Sequence, residues 1–213
     1  MEYTVEKINS TLGKGFIKKH HYTGGCHNGP MCWGLFDDCE LIGVCAFATP
    51  SSENVRSSVF GPEFKDSVTE LHRLVVLDGT PTNTESWFIR RALSGLKEYR
   101  PKIRAVLSFA DATEGHIGTI YQASNALYCG TSGRATFYRD QDGRLRHPRQ
   151  NGVNISISEA GERGWTPEKR EGKHRYLFLI GSGPQKRRYR EQLRLGTFDY
   201  PKPEVFLADR EAA

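Results

Sequence analysis

The chain's 213 residues carry 30 Lys and Arg against 25 Asp and Glu, a net charge of +5, with 37% hydrophobic residues and a mean hydropathy of −0.57. That length suits one well-packed domain with an extension rather than a string of domains. No run approaches the roughly 20 apolar residues of a membrane span, and the N-terminus lacks the charged start and apolar core of an export signal, so a cytosolic protein is expected.

Residues 3–8 alternate as a short strand, and Ser10 is placed to cap a helix through Leu12, Phe16 and Ile17 that Tyr22-Thr23-Gly24-Gly25 breaks. After a Gly-rich loop, Cys32–Phe36 and Leu41–Phe47 read as a hairpin turned at Asp37-Asp38, and the polar stretch 50–67 reads as a loop. From Glu70 the order becomes strand (Leu71–Leu77), turn (Asp78-Gly79), helix, strand (Ala105–Ala110). The intervening helix shows capping-box spacing at Thr82 and Glu85 and apolar residues at Phe88, Ala92, Leu93, Leu96 and Tyr99 before Pro101. A second helix over 117–125 and a strand over 127–130 follow. This alternation predicts an α/β (α+β) fold, a mixed central sheet with parallel neighbours flanked by helices.

Beyond Gly133 lie an Arg-rich hairpin around Asp142-Gly143, a strand-like run over 153–158 and another strand over 176–180. Charge divides at the same place. Residues 1–133 hold 13 Lys and Arg against 14 Asp and Glu, whereas residues 134–213 hold 17 against 11. We therefore divide the chain into a main domain, 1–133, and a basic C-terminal part, 134–213, that completes the sheet. A basic extension on a near-neutral core fits a polyanionic partner, since each phosphate neutralised releases counterions; the plain alternative is a merely soluble basic surface. Arg144, Arg146, Lys173, Arg175, Lys186, Arg187 and Arg188 are the candidates for contacts with such a partner, interleaved with Tyr138, Trp165, Tyr176 and Tyr189. Five cysteines without close CxxC pairs suggest reduced thiols rather than a disulfide framework or zinc ribbon.

In open α/β sheets ligands bind beyond the carboxyl ends of the strands, and Asp111 stands at such an end, suited to act as a base, to orient one, or merely to cap the next turn. Ser108 either adds a hydroxyl to the same site or bonds within the sheet. Arg73, an obligate cation in an apolar strand, needs an acid such as Glu70 or Asp111, or an anionic ligand. Alternation sends His72 and Arg73 to opposite faces. The turn 78–85, with Asn83, Thr84 and Ser86, opens a helix whose free N–H groups favour a cofactor pyrophosphate. Tyr121 and Tyr22 suit a flat pocket for a base or cofactor. His21 and His116 with Asp111 match the composition of an iron-binding facial triad, although surface imidazoles are the commoner reading.

With these residues in view, the chain resembles the Mom family of phage DNA modification proteins, whose fold is similar to GCN5-related N-acetyltransferases. The resemblance rests on Glu70-Leu71-His72-Arg73-Leu74, Asn83-Thr84-Glu85-Ser86, Ser108-Phe109-Ala110-Asp111 and the run Gly115–Asn125, with His21-Tyr22, Lys173–Tyr176 and Tyr200-Pro201-Lys202 outside that core. It implies conversion of adenine to N6-carbamoylmethyladenine in double-stranded phage DNA within the bacterial host's cytoplasm, protecting that DNA from restriction. It also implies an active site of His21, Tyr22, Arg73, Ser108 and Asp111. The glycine-containing pyrophosphate motif of acetyltransferases is not evident in residues 77–86, so the donor stays open between an acyl-CoA-like molecule and another source, and iron enters as a family possibility. The alternative functions are an acyl-CoA-dependent N-acyltransferase acting on a small molecule or peptide, and an inactive DNA-binding module on the same fold.

Overall fold

The computed structural model describes residues 3–21, 24–50, 52–150 and 153–202. The chain opens with β1 (Tyr3–Ile8) and α1 (Ser10–His20). Asn9, not Ser10, caps α1: its side-chain oxygen accepts the N–H of Leu12 at 2.8 Å, and its carbonyl accepts the first helical N–H, from Gly13. The hairpin of β2 (Met31–Asp37) and β3 (Glu40–Ala48) turns at Asp38, which adopts a left-handed φ of 51°.

The expected loop 50–67 contains α2 (Glu53–Phe60) and a 3₁₀ turn (Pro62–Ser67). Val55, Val59, Phe60 and Phe64 recur at helical intervals and pack on the sheet through Val68, Ala105, Leu107 and Leu177. Burial of that one face overrides a polar composition. Next come β4 (Val68–Val76), α3 (Thr84–Tyr99), β5 (Ala105–Ala110), a 3₁₀ turn (Ala112–Glu114), α4 (Thr119–Ala123) and β6 (Leu127–Thr131). The Thr82 capping box does not form: α3 starts at Thr84 behind a left-handed Asn83 (φ 71°).

The C-terminal part contributes β7 (Ala135–Arg139), β8 (Leu145–Arg146), β9 (Arg149–Gln150), β10 (Val153–Asn154), α5 (Ile157–Glu162), β11 (Thr166–Arg170), β12 (His174–Leu179) and α6 (Gly183–Glu191). The expected strand over 153–158 is instead a two-residue strand and the start of α5. A capping box decides it: Ser156 Oγ accepts the Glu159 N–H, and Glu159 accepts the Ser156 N–H at 2.8 Å.

Seven strands form the main sheet in the order β1-β2-β3-β4-β5-β12-β6, while β11-β7-β8 and β10-β9 form separate small sheets. The pair β4 and β5 is parallel, joined through α3, and the other described pairings of the main sheet are antiparallel. The mixed α/β architecture expected from the sequence is therefore present. Alternation splits the core. On one face Phe47, Val106, Tyr176 and Phe178 pack with Phe88, Ile89, Ala92 and Leu96 of α3; on the other, Val44, Ala46, Leu107 and Leu177 face α1 and α2. Cys32, Cys45 and Cys129 are buried free thiols, and desolvation pushes Cys32 up to about 12 and Cys129 up to about 11.

Two irregularities in β4 position the site. Its pairing with β5 runs only from Val68↔Ala105 to Leu71↔Ser108, so beyond Leu71 the two strands part while β4 continues beside β3. The β3 register also shifts between Ala46↔Arg73 and Phe47↔Leu71, leaving His72 as the extra residue of a bulge.

Candidate active site

A cleft of about 650 Å³ opens where β4 and β5 separate. Its walls come from both sides of the sheet: His21 at the end of α1, His72, Arg73 and Leu74 of β4, Phe109–Asp111 at the end of β5, the run Gly115–Tyr121, and Arg170 and Lys173 from the C-terminal part. The bulge explains why both His72 and Arg73 line it, against the expectation from strict alternation. His72 lies 3.4 Å from Glu70 and edge-on to the His27 ring.

Among the described residues Arg73 has no acidic partner. Its Nε donates to the Gly25 carbonyl at 2.9 Å and Nη1 to the His72 carbonyl at 2.7 Å, which orients the guanidinium without neutralising it. The expected pairing with Glu70 or Asp111 does not form. The uncompensated cation suits an anionic ligand or developing negative charge.

Asp111 does form ion pairs, with other partners. One oxygen lies 3.4 Å from Lys173 Nζ; the other lies 3.6 Å from Arg170 and accepts the Thr113 N–H at 3.1 Å. Arg170, nearly buried, reaches Glu114 at 2.6 Å as well. Asp111 thus caps a 3₁₀ turn and faces the cleft at once, so the two readings of it are compatible. Sequence reasoning missed Arg170 because it sits in the charge run Glu168–Lys173, which reads as solvated surface; only the fold turns it inward.

His21 is held neutral. Burial first, then the charges of Arg73, His72 and His116, bring its pKa from 6.5 to about 4, and burial also lowers His27 and His174. A depressed imidazole pKa means the unfolded chain binds more protons than the folded one between those values, so stability falls as pH drops from 6.5 towards 4. Thermal melts at pH 7 and pH 5 are expected to show a lower Tm at pH 5, with a smaller drop in His21→Asn; equal drops in the two proteins would contradict this account of His21.

The remaining expected site residues divide. Ser108 is fully buried and its hydroxyl donates to the Leu71 carbonyl at 3.4 Å, at the last β4–β5 pair; it braces the point of separation and does not line the cleft. Tyr121 lines the cleft; Tyr22 lies outside the described residues. Asn83, Thr84 and Ser86 are not in the cleft, and the Thr84 and Ser86 hydroxyls donate to the carbonyls of Pro81 and Asn83. His21, His116 and Asp111 share the cleft, but among the described residues no three His, Cys, Asp or Glu side chains are grouped as metal ligands. Asp111 is engaged by two cations instead, so this set does not fit iron.

The expected DNA contacts separate too. Lys173 stands at the cleft, and the Nε of the neighbouring Arg175 is buried. Arg144 and Arg146 on the small sheet are paired with Asp142 and Asp140, at 3.1 and 2.7 Å. Lys186, Arg187 and Arg188 lie on α6, beyond the opposite end of β12.

Sheet order and cleft together define a mixed-sheet α/β protein whose polar, histidine- and arginine-lined site sits at the carboxyl ends of its parallel strands. The Mom protein family matches residues 2–202, and the chain belongs to that family. It is 32% identical over 164 residues to the "Methylcarbamoylase mom" of Escherichia phage Mu, a match spanning 76% of this chain and 66%, just under two thirds, of that protein. Among solved structures it is similar to an N-acetyltransferase from Staphylococcus aureus Mu50 (10% identity, TM-score 0.47, 85% of this chain and 100% of that one). It is also similar to the ribosomal-protein-S18-alanine N-acetyltransferase from Escherichia coli (9% identity, TM-score 0.48, 85% and 96%).

Proposed function

We propose that this protein is a transferase that modifies the N6 amine of adenine in double-stranded phage DNA, giving N6-carbamoylmethyladenine and shielding the DNA from host restriction inside the infected cell. The observation that carries this reading is the convergence of His21, Arg73, Asp111 and Tyr121, four residues from separate stretches of a Mom family chain, on one cleft.

The N6 amine is stacked inside a duplex and is a weak nucleophile, so the target base must leave the stack and enter a pocket. Tyr121 offers an aromatic wall for it, and Lys173 at the rim offers a phosphate contact. As N6 bonds to the donor's methylene carbon, the bond from that carbon to the donor's leaving group breaks and its electron pair departs with the leaving group; the nitrogen becomes strongly acidic and its proton needs only a weak base. The Asp111 carboxylate serves that role, with neutral His21 as a second acceptor across the cleft. Arg73 holds the negative charge of the donor or of the transition state. Because Asn83, Thr84 and Ser86 lie outside the cleft, we assign them no contact with the reacting atoms.

Mass spectrometry of nucleosides from plasmid DNA of expressing cells tests the reading. An adenosine heavier by a carbamoylmethyl group is expected with the wild type and not with Arg73→Gln. Unmodified adenines despite folded wild-type protein, in a host supporting modification by the phage Mu relative, would sink it.

A further inference from the structure

A second cleft of about 650 Å³ lies between α3 and α6. Arg90 and Lys97 of α3 and Lys186, Arg187 and Arg190 of α6 border it, over a floor that includes Leu93 and Leu179, and among the described residues no Asp or Glu lines it. Its charge differs in kind from that of the small sheet. There Arg134, Arg139, Arg144, Arg146 and Arg170 each have a carboxylate partner, whereas Arg90, Lys186, Arg187 and Arg190 are exposed and none forms an ion pair among the described residues. Among the described residues, α6 thus gathers four cations without an ion pair, Lys186, Arg187, Arg188 and Arg190, within a single short helix. Crowded, unpaired cations repel one another and raise a local field that concentrates anions.

The site is remote from the catalytic cleft. β12 runs antiparallel to β5, with His174 opposite Ala110 at the catalytic end and Leu179 opposite Ala105 at the other. Five residue steps at about 3.4 Å put the second cleft on the order of 17 Å from the first, half a turn of B-form duplex. Arg188, outside the cleft on the same helix, extends the positive surface past the cavity, which suits an extended polyanion better than a compact ligand.

We infer that the α3–α6 cleft is a second DNA-binding site, which grips the sugar-phosphate backbone of the duplex whose adenine occupies the catalytic cleft. The inference rests on the DNA substrate proposed above. Two separated grips fix the duplex against the rotation that a contact at the target base alone would allow, and they carry no base readout.

The test is the salt dependence of binding, by fluorescence anisotropy, for the full chain and for Lys186→Gln/Arg187→Gln/Arg190→Gln, with circular dichroism confirming that the exposed substitutions leave the fold intact. On a duplex of about 30 base pairs, the slope of log K against log salt is expected to be shallower by roughly 2 to 3 in the variant, about 0.9 for each phosphate no longer neutralised. On a duplex of about 8 base pairs with its adenine at the centre, whose arms of about 14 Å on either side fall short of the second cleft, the two proteins are expected to differ far less. Equal slopes on the long duplex, with wild-type DNA modification intact, would overturn this inference alone. A wild type that neither binds nor modifies DNA would overturn the proposed function with it. A variant that no longer binds ADP while its DNA slope is unchanged would show that the cleft takes a free nucleotide instead, and would equally overturn the inference.

Discussion

Asp111→Asn is expected to lower adenine modification by about a hundredfold or more, the range in which removal of a positioned proton acceptor usually falls. Asparagine keeps an oxygen to accept the Thr113 N–H at 3.1 Å, so the 3₁₀ turn and the shape of the cleft persist. It removes the negative charge facing Lys173 and Arg170, and Arg170 retains Glu114 at 2.6 Å, so no buried cation is left without a partner. Fold and DNA affinity should therefore survive while chemistry fails. Single-turnover modification at saturating DNA, beside a melting curve, separates the two. A rate within tenfold of wild type would reduce Asp111 to a capping residue and move the proton to another acceptor.

Gly118→Ala is expected to destabilise the protein by about 3 kcal/mol, the sum of left-handed strain and overpacking against a rigid ring. Gly118 has φ 76°, and a Cβ there would overlap the ring of Tyr176, which is fully buried. That ring has little room to yield. Its hydroxyl donates to the Ile117 carbonyl and accepts from Gln122 Nε2 at 3.0 Å, and Tyr121 and Tyr128 pack around it. Urea denaturation at neutral pH checks the magnitude, and a decrease below about 1 kcal/mol would mean that the tyrosine cluster shifts freely. Because Ile117, Gly118 and Tyr121 also wall the catalytic cleft, residual folded variant should bind DNA yet modify it poorly.

Much of the β4–α3–β5 unit was legible from local pattern. Apolar runs marked the strands, and Phe88, Ala92 and Leu96 marked the buried stripe of α3. The same logic failed for α2 and α5. α2 carries its apolar residues on one short face that matters only once a partner surface exists, as Val59 and Phe60 do against Leu107 and Leu177, whereas α5 buries Ala160 and leaves Ile157 exposed. The capping box at Ser156 and Glu159 was a readable signal for α5; the polar face of α2 hid a helical period rather than a loop.

The candidate site was legible in its parts. Sequence alone marked Arg73 as a cation needing a reason, Asp111 as a carboxylate ending a strand, and Tyr121 as an aromatic suited to a flat pocket, and their combined order resembled one family. It also determined where the excess positive charge lies along the chain. Which of those charges are available was a tertiary decision, because ion pairing depends on distances between segments brought together by the fold: Arg144 and Arg146 are neutralised in their small sheet, Arg170 turns in beneath Asp111, and α6 keeps its cations unpaired among the described residues. The same holds for the bulge at His72 and the parting of β4 from β5 after Leu71. Both are set by register against neighbouring strands, which no local pattern of apolar and polar residues encodes, and together they open the cleft in which the marked residues meet.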